Sequence, residues 1–416
     1  MPKRKSTIKS LGSALADLFL RPVETLKEFW RKGDVVLLGL CVLASLLGVV
    51  LIYSATRYKE SVYTSFLRQD FVKQAVFILL GVVLYVWITF VDIEYLMERW
   101  WWVFLALGLF VILLIIPFGR EIGGNKSWVY FPGIPIGFQP GEIAKLAYIV
   151  VLAWLMNRER QKGKGVGKIS ALIKYLLLTV LFAGLLAVLS GDFGMVLVYL
   201  GLLVIMAWEG GVNKWWFLGG GAALVGTVVP LWVFVLPNTR FWDDYRIKRI
   251  RVVFDHDLDP QDRGWQQGQS IRAIGSGQLT GQGYLKGAIT QSKIPGDLPA
   301  RYTDEIFAVC GEEFGLLGCC AVLLVLLAII CRCVWVSRRA KSHLSAYISM
   351  GIAGMLMVQT IINVGMCLYV LPVVGLTLPF FSYGGTSTLT LFIAMGVVSG
   401  IKMRPLPSWL RDRSQL

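Results

Sequence analysis

The chain has 416 residues, 56% of them hydrophobic and only 16% charged, with a mean hydropathy of +0.64. That balance excludes a water-soluble domain of this size. A formal net charge of +15 would suggest nucleic acid in a soluble protein. In a multispanning protein it reflects positive charge retained in the cytoplasm, so no nucleic-acid partner is expected. The seven cysteines lie mostly inside apolar runs and imply no disulfide framework, and the two histidines, His256 and His343, read as solvated loop residues.

Residues 1–33 hold eight Lys and Arg, and no small-residue cleavage site follows the first apolar run, so this segment reads as a cytoplasmic flank. Ten apolar runs follow, at 35–54, 71–91, 100–117, 142–156, 171–190, 193–208, 215–236, 306–334, 344–371 and 386–401. They predict an all-α polytopic membrane protein with about ten transmembrane helices. With the amino terminus inside, the short outer loops carry five Lys and Arg, several times fewer than the cytoplasmic tails and loops. The chain thus divides into 1–33, a transmembrane domain at 34–403 and a short cytoplasmic tail at 404–416. One outer connection is long: residues 237–305, between the seventh and eighth helices, form a large extracytoplasmic loop of the kind that usually carries function.

The first polar constellation in chain order is the outer turn holding Lys126 and Trp128. It leads into Glu142 and Lys145, three residues apart on one face of the fourth span, where each can neutralise the other. They read either as a structural ion pair or as part of a polar cavity. In the large loop, 245–254 interleaves Arg246, Lys248, Arg249 and Arg251 with apolar residues, which suits an interfacial helix on anionic headgroups or a clamp for a lipid-linked pyrophosphate. The stretch 264–283, dense in Gly and Gln and including Gln269 and Ser276, offers close backbone approach and amides for sugar hydroxyls, or simply turns. Lys286 adds a further loop cation. At the mouth of the eighth span stand Asp304 and Glu305, followed by Glu312 and Glu313, acids costly enough at a membrane to be functional candidates by default. For Asp304, helix capping and catalysis are both open. Residues 371–387, broken by Pro and Gly and containing Ser382, predict a buried segment or cavity wall at membrane depth.

Taken in order, these segments resemble the SEDS family of bacterial cell-wall polymerases, which includes RodA and FtsW, over nearly the whole chain. The marks are 124–128, the Gln139 to Lys145 run, Gly191 to Gly194, the basic segment from Arg246, Gln269 and Ser270 through Gly283, Thr303 and Asp304, Glu312 to Gly315, and 372–387. The family pattern commonly has an aromatic residue where this chain has Glu305. The resemblance implies a peptidoglycan glycosyltransferase that polymerises lipid II into β-1,4 glycan with inversion, at the outer face of the bacterial cytoplasmic membrane, for elongation and shape. Asp304 is then the catalytic base. Lys126, Trp128, Glu142, Lys145, Arg246, Arg249, Gln269, Ser276, Lys286 and Ser382 are expected to bind substrate. No cofactor is required, although a divalent cation (Mg or Mn) is compatible with the leaving group, and the expected partner is a class B penicillin-binding protein. The competing expectations are a lipid II flippase, a division-specific FtsW-like polymerase and a scaffold for wall-synthesis complexes.

Overall fold

The computed structural model describes residues 22–57, 69–122, 125–133, 137–163, 166–239, 251, 263–294 and 297–404. The architecture is helical: α1 (Pro22–Lys32), α2 (Val35–Thr56), α3 (Asp70–Thr89), α4 (Ile93–Leu113), a hairpin of β1 (Gly119–Ile122) and β2 (Asn125–Val129), α5 (Pro140–Gln161), α6 (Ile169–Ser190), α7 (Phe193–Glu209), α8 (Lys214–Pro230), α9 (Arg263–Ser276), α10 (Ile306–Arg339), α11 (His343–Cys367) and α12 (Gly385–Met403). Each of the ten apolar runs falls on one of these helices. Among the described residues, seven are long and apolar enough to cross a membrane: α2, α3, α4 with the helical turn that follows it, α6, α10, α11 and α12. α7 is apolar but shorter.

The centre of the bundle is α5, which packs against α4, α6 and α11. Its Ala144, Tyr148, Ile149, Leu152 and Ala153 have no exposed surface. A helix that buries nearly every face must bury its charges too, which is why Lys145 and Glu142 are found inside. Elsewhere, small residues bring helices together. A side chain at Gly81 of α3 would stand 2.5 Å from the Phe392 ring of α12, and one at Gly396 would stand 2.8 Å from the Tyr85 carbonyl. Among lipid tails such close packing is a main source of helix association.

Three features depart from the sequence expectations. The turn before α5 is a two-stranded antiparallel hairpin pairing Gly119 with Val129 and Arg120 with Trp128. The Gly- and Gln-rich stretch of the large loop forms the 14-residue helix α9. The long α10 is broken at Gly315 (φ +65°, ψ −162°), a conformation open to glycine. Loop residues dock into this break: Leu316 and Leu317 N–H bond the carbonyls of Gln278 and Leu279, while Gln282 and Gly283 N–H bond those of Glu312 and Glu313. The expected amphipathic helix over 245–254, with Arg246 and Arg249, lies outside the described residues, as do Gly124 and His256.

Candidate functional site

The chain enters α10 through a tight turn. Ala300, at φ +51°, accepts the N–H groups of both Thr303 (3.0 Å) and Glu305 (3.2 Å) through its carbonyl. The helix N-cap is Glu305, and its side chain makes no capping bond. The Asp304 carbonyl accepts Asn363 Nδ2 at 2.7 Å, and the same amide donates to the Leu376 carbonyl at 2.7 Å. One buried side chain on α11 thus ties the residue before α10 to the irregular segment ahead of α12. The Asp304 carboxylate faces that segment: Oδ2 lies 3.6 Å from where a Cβ at Gly375 would stand, and Gly375 has φ +70°.

The irregular segment is buried in protein, as non-helical chain at membrane depth must be. The Leu378 N–H donates to Ser382 Oγ (2.8 Å), and Tyr383 N–H to the Tyr302 carbonyl (2.9 Å). From α3, Gln74 donates to Thr388 Oγ1 (2.8 Å) and accepts the Gly384 N–H (3.2 Å).

A second polar cluster lies on the other side of the same segment. Lys145 Nζ is 2.8 Å from Glu142 Oε1, with side-chain exposures of 0% and 3%, and Glu142 Oε2 has no hydrogen-bond partner. Gln139 Nε2 donates to Asp192 Oδ2 (3.2 Å), and Asp192 Oδ1 caps α7 through the Met195 N–H (3.0 Å). Gly194, the second residue of α7, approaches so closely that a Cβ there would stand 2.7 Å from the Val374 carbonyl. The run from Val374 to Leu376 is therefore a common wall, with the α7 start and its acid on one face and Asp304 on the other.

The remaining predicted site residues are spread around this core. Lys126 is exposed and donates to the Ile116 carbonyl (3.4 Å), and Trp128 is half-buried in β2. Gln269 is buried on α9, while Ser276 at its end donates to the Ala273 carbonyl and accepts from Gln282 (both 2.8 Å). Lys286 is exposed on the loop, and the Ser382 hydroxyl closes its own turn. Glu312 accepts the N–H groups of Ile289 and Thr290 (2.7 Å each) and the Thr290 hydroxyl (2.6 Å), and Glu313 accepts Ser54 (2.6 Å) and Gln291 (3.0 Å). These two acids fasten the loop before α10 to α10 and α2. Sequence reasoning passed over Asn363, Gln266 and Gln267. Asn363 had a readable signal, since Gln359 and Asn363 stand four residues apart in an apolar run. Among the described residues no group of three or more His, Cys, Asp or Glu side chains gathers to hold a metal ion.

Residues 34–405 match the sequence model of the FtsW, RodA and SpoVE family, described as cell cycle proteins. The chain belongs to this family. It is 31% identical over 390 residues to a probable peptidoglycan glycosyltransferase FtsW of Geobacter metallireducens, covering 91% of this chain and 96% of that protein. It is also 34% identical over 299 residues to the peptidoglycan glycosyltransferase MrdB of Escherichia coli, covering 70% and 75%. Among solved structures it resembles a chain from a study of how a peptidoglycan synthase complex coordinates polymerization and crosslinking, with TM-score 0.72, 27% identity and coverage of 92% and 99%. It also resembles the rod shape determining protein RodA of Thermus thermophilus, with TM-score 0.63, 25% identity and coverage of 90% and 98%.

Proposed function

We propose that this integral membrane protein is a peptidoglycan glycosyltransferase that polymerises lipid II, with Asp304 as its general base. In the reaction the 4-hydroxyl of an acceptor GlcNAc attacks the anomeric carbon of a donor MurNAc, and undecaprenyl pyrophosphate leaves with inversion. The hydroxyl must lose its proton as the bond forms, which calls for a carboxylate held in reach. The observation that supports Asp304 is its setting: a half-buried acid whose backbone is gripped by Asn363 and whose carboxylate faces the Val374 to Leu376 wall. Negative charge grows on the pyrophosphate as it leaves, and Arg246, Arg249 and Lys286 are the cations assigned to it by their place in the loop. Lys126, Trp128, Gln269, Ser276 and Ser382 are assigned to the substrate's sugars and peptide, and Glu142 with Lys145 to the cavity floor.

The chemistry requires the loop at 237–305 to lie outside the bacterial cytoplasmic membrane, with ten crossings and both termini inside. By its resemblance to the family, the cross-linking partner is a class B penicillin-binding protein. The solved relative drawn from a peptidoglycan synthase complex supports such an assembly. We assign the activity to elongation and shape. The longer matches to FtsW proteins favour a division role as the second reading.

The test is incubation of purified protein with lipid II, alone and with the partner. Glycan polymer is expected, and Asp304→Asn should lower its initial rate by about a hundredfold or more while the protein stays folded. Near-normal synthesis by the variant would overturn the base assignment. Movement of labelled lipid II across liposomes with no glycan made, even with the partner, would replace the enzyme by a flippase.

A further inference from the structure

Two acids stand side by side at the mouth of α10, and the proposed reaction uses one of them. Asp304 is half-buried, whereas Glu305 has no exposed surface. Glu305 Oε1 accepts Gln266 Nε2 of α9 at 3.1 Å, and Oε2 has no well-formed hydrogen bond. The Ser270 hydroxyl of α9 and the Cys367 thiol at the end of α11 lie close enough to favour its charged form, yet burial outweighs them and pushes its pKa up. Those two groups are themselves linked onward. Ser270 Oγ donates to the Cys367 carbonyl (3.0 Å), and Cys367 Sγ sits 3.7 Å from the Asp304 carbonyl.

A structural filler does not account for a carboxyl here. An apolar side chain of similar size would occupy the same space without stranding an acceptor atom, which costs free energy when buried. What the carboxyl adds is connection. Through Gln266 it reaches α9, which is also pinned to the end of α11 by Gln267, whose amide donates to the carbonyls of Met366 (3.1 Å) and Leu371 (2.7 Å). Through Cys367 it adjoins the carbonyl that Asn363 grips, and that carbonyl belongs to the peptide joining Asp304 to Glu305 itself. A displacement of Glu305 therefore rotates the peptide that carries Asp304.

We propose that Glu305 is a positioning residue for the transfer reaction, its carboxyl clasping α9 to the end of α11 so that the Asp304 carboxylate is held at the Val374 to Leu376 wall. The inference rests on Asp304 being the base. Small displacements of a reacting group are enough to cost turnover heavily, because the proton must be taken within hydrogen-bond reach.

The experiment measures initial glycan formation against lipid II concentration for the full-length protein with its partner in neutral detergent. Glu305→Leu should lower kcat by about tenfold or more with KM changed by less than about twofold, since it disturbs orientation and not the substrate's contacts. Glu305→Gln keeps shape and hydrogen bonding and should restore most of the turnover. Gln266→Ala removes the same clasp from the α9 side, so it should reduce kcat as well. Combined with Glu305→Leu, it should add little further loss. Because Gln266→Ala leaves the α10 turn intact, it also tests the clasp should Glu305→Leu fail to fold. Unchanged kcat in both Glu305→Leu and Gln266→Ala would overturn the proposal, as would losses that multiply in the double variant. Asp304→Asn is run alongside: if it is inactive while the Glu305 and Gln266 variants are normal, the positioning role alone falls. If Asp304→Asn is fully active, the base assignment falls and takes this inference with it.

Discussion

Asp34 and Asp304 both stand just before a long membrane helix, in opposite surroundings. Asp34 has no exposed surface and is surrounded by partners. It caps α2 through the Leu37 N–H (3.2 Å), takes Arg332 from α10 in a bidentate pair (2.9 and 3.0 Å), and lies 3.5 Å from Lys402 of α12. Even its backbone is tied, by Ser399 Oγ to its N–H (3.0 Å) and by Tyr85 to its carbonyl (2.8 Å). Asp304 is only half-buried and precedes Glu305, the N-cap residue of α10, and Asn363 holds its backbone carbonyl in place. An acid locked by a cap, a guanidinium and an ammonium maintains the fold. In the proposed reaction, the acid that is anchored by its main chain and directed at a wall of irregular segment is the one that takes up a proton.

The sharpest way to break this contrast is to remove Asp34. Asp34→Ala leaves the buried side of Arg332 without its counter-charge and opens the cap of α2, so the cost should be about 4 kcal/mol of stability. The check is thermal unfolding in detergent, with kcat measured on the surviving folded fraction. Loss of stability with near-normal turnover per folded molecule is expected, the reverse of Asp304→Asn. A large fall in turnover with stability intact would erase the distinction between the two acids.

Glu142 and Lys145 give the next largest effect. They resemble Asp34 in being buried and paired, yet Glu142 keeps one oxygen without a partner. Each single change to Ala should cost about 3 kcal/mol, because it strands a charge in a low-dielectric interior. The double change should recover part of that loss. Additive losses in a double-mutant cycle would mean that the two side chains do not stabilise one another.

How much of this was readable beforehand follows from which physical signals are local. Hydropathy is, so every helix built on an apolar run was foreseen. So is the spacing of Glu142 and Lys145, which puts them on one helical turn. The broken stretch around Pro372 and Gly375 was readable as buried irregular chain for the same reason. α9 was not. Its Gly264, Gly268 and Gly275 lower helix propensity, and it is held by tertiary bonds from Gln266, Gln267 and Ser270 to the start of α10 and the end of α11 and by Ile274 packed against Gly311. Burial at a membrane marks Glu312 and Glu313 as costly acids but does not say whether their partners are a substrate or the protein's own amides and hydroxyls, and the bonds described for them are to the protein. Sequence spacing did not show where Asp304 and Glu305 each point, and the turn at Ala300 sends one to the wall and the other inward.

The smallest expected effect separates those two neighbours by pH. Among the described residues, the groups set against the Glu305 carboxyl are Gln266 and Ser270 from α9 and Cys367 from α11, none of them a cation, with Asp304 next to it in the chain. Burial, acting against the pull of Ser270, Cys367 and Gln266, raises its folded pKa above the ordinary carboxyl value of 4.5. The folded state then holds this proton more tightly than the unfolded chain does. The associated stability is full below the ordinary value and is lost as pH rises through the raised folded one. Glu305→Gln mimics the protonated form and cannot titrate, so it lacks this component. Unfolding of the two proteins, followed in parallel from about pH 4 upward, should show wild type losing stability relative to the variant as pH increases. Parallel curves would mean that Glu305 is as ionised inside the protein as in the unfolded chain, and the contrast between a buried clasp and a working carboxylate would then lose its electrostatic half.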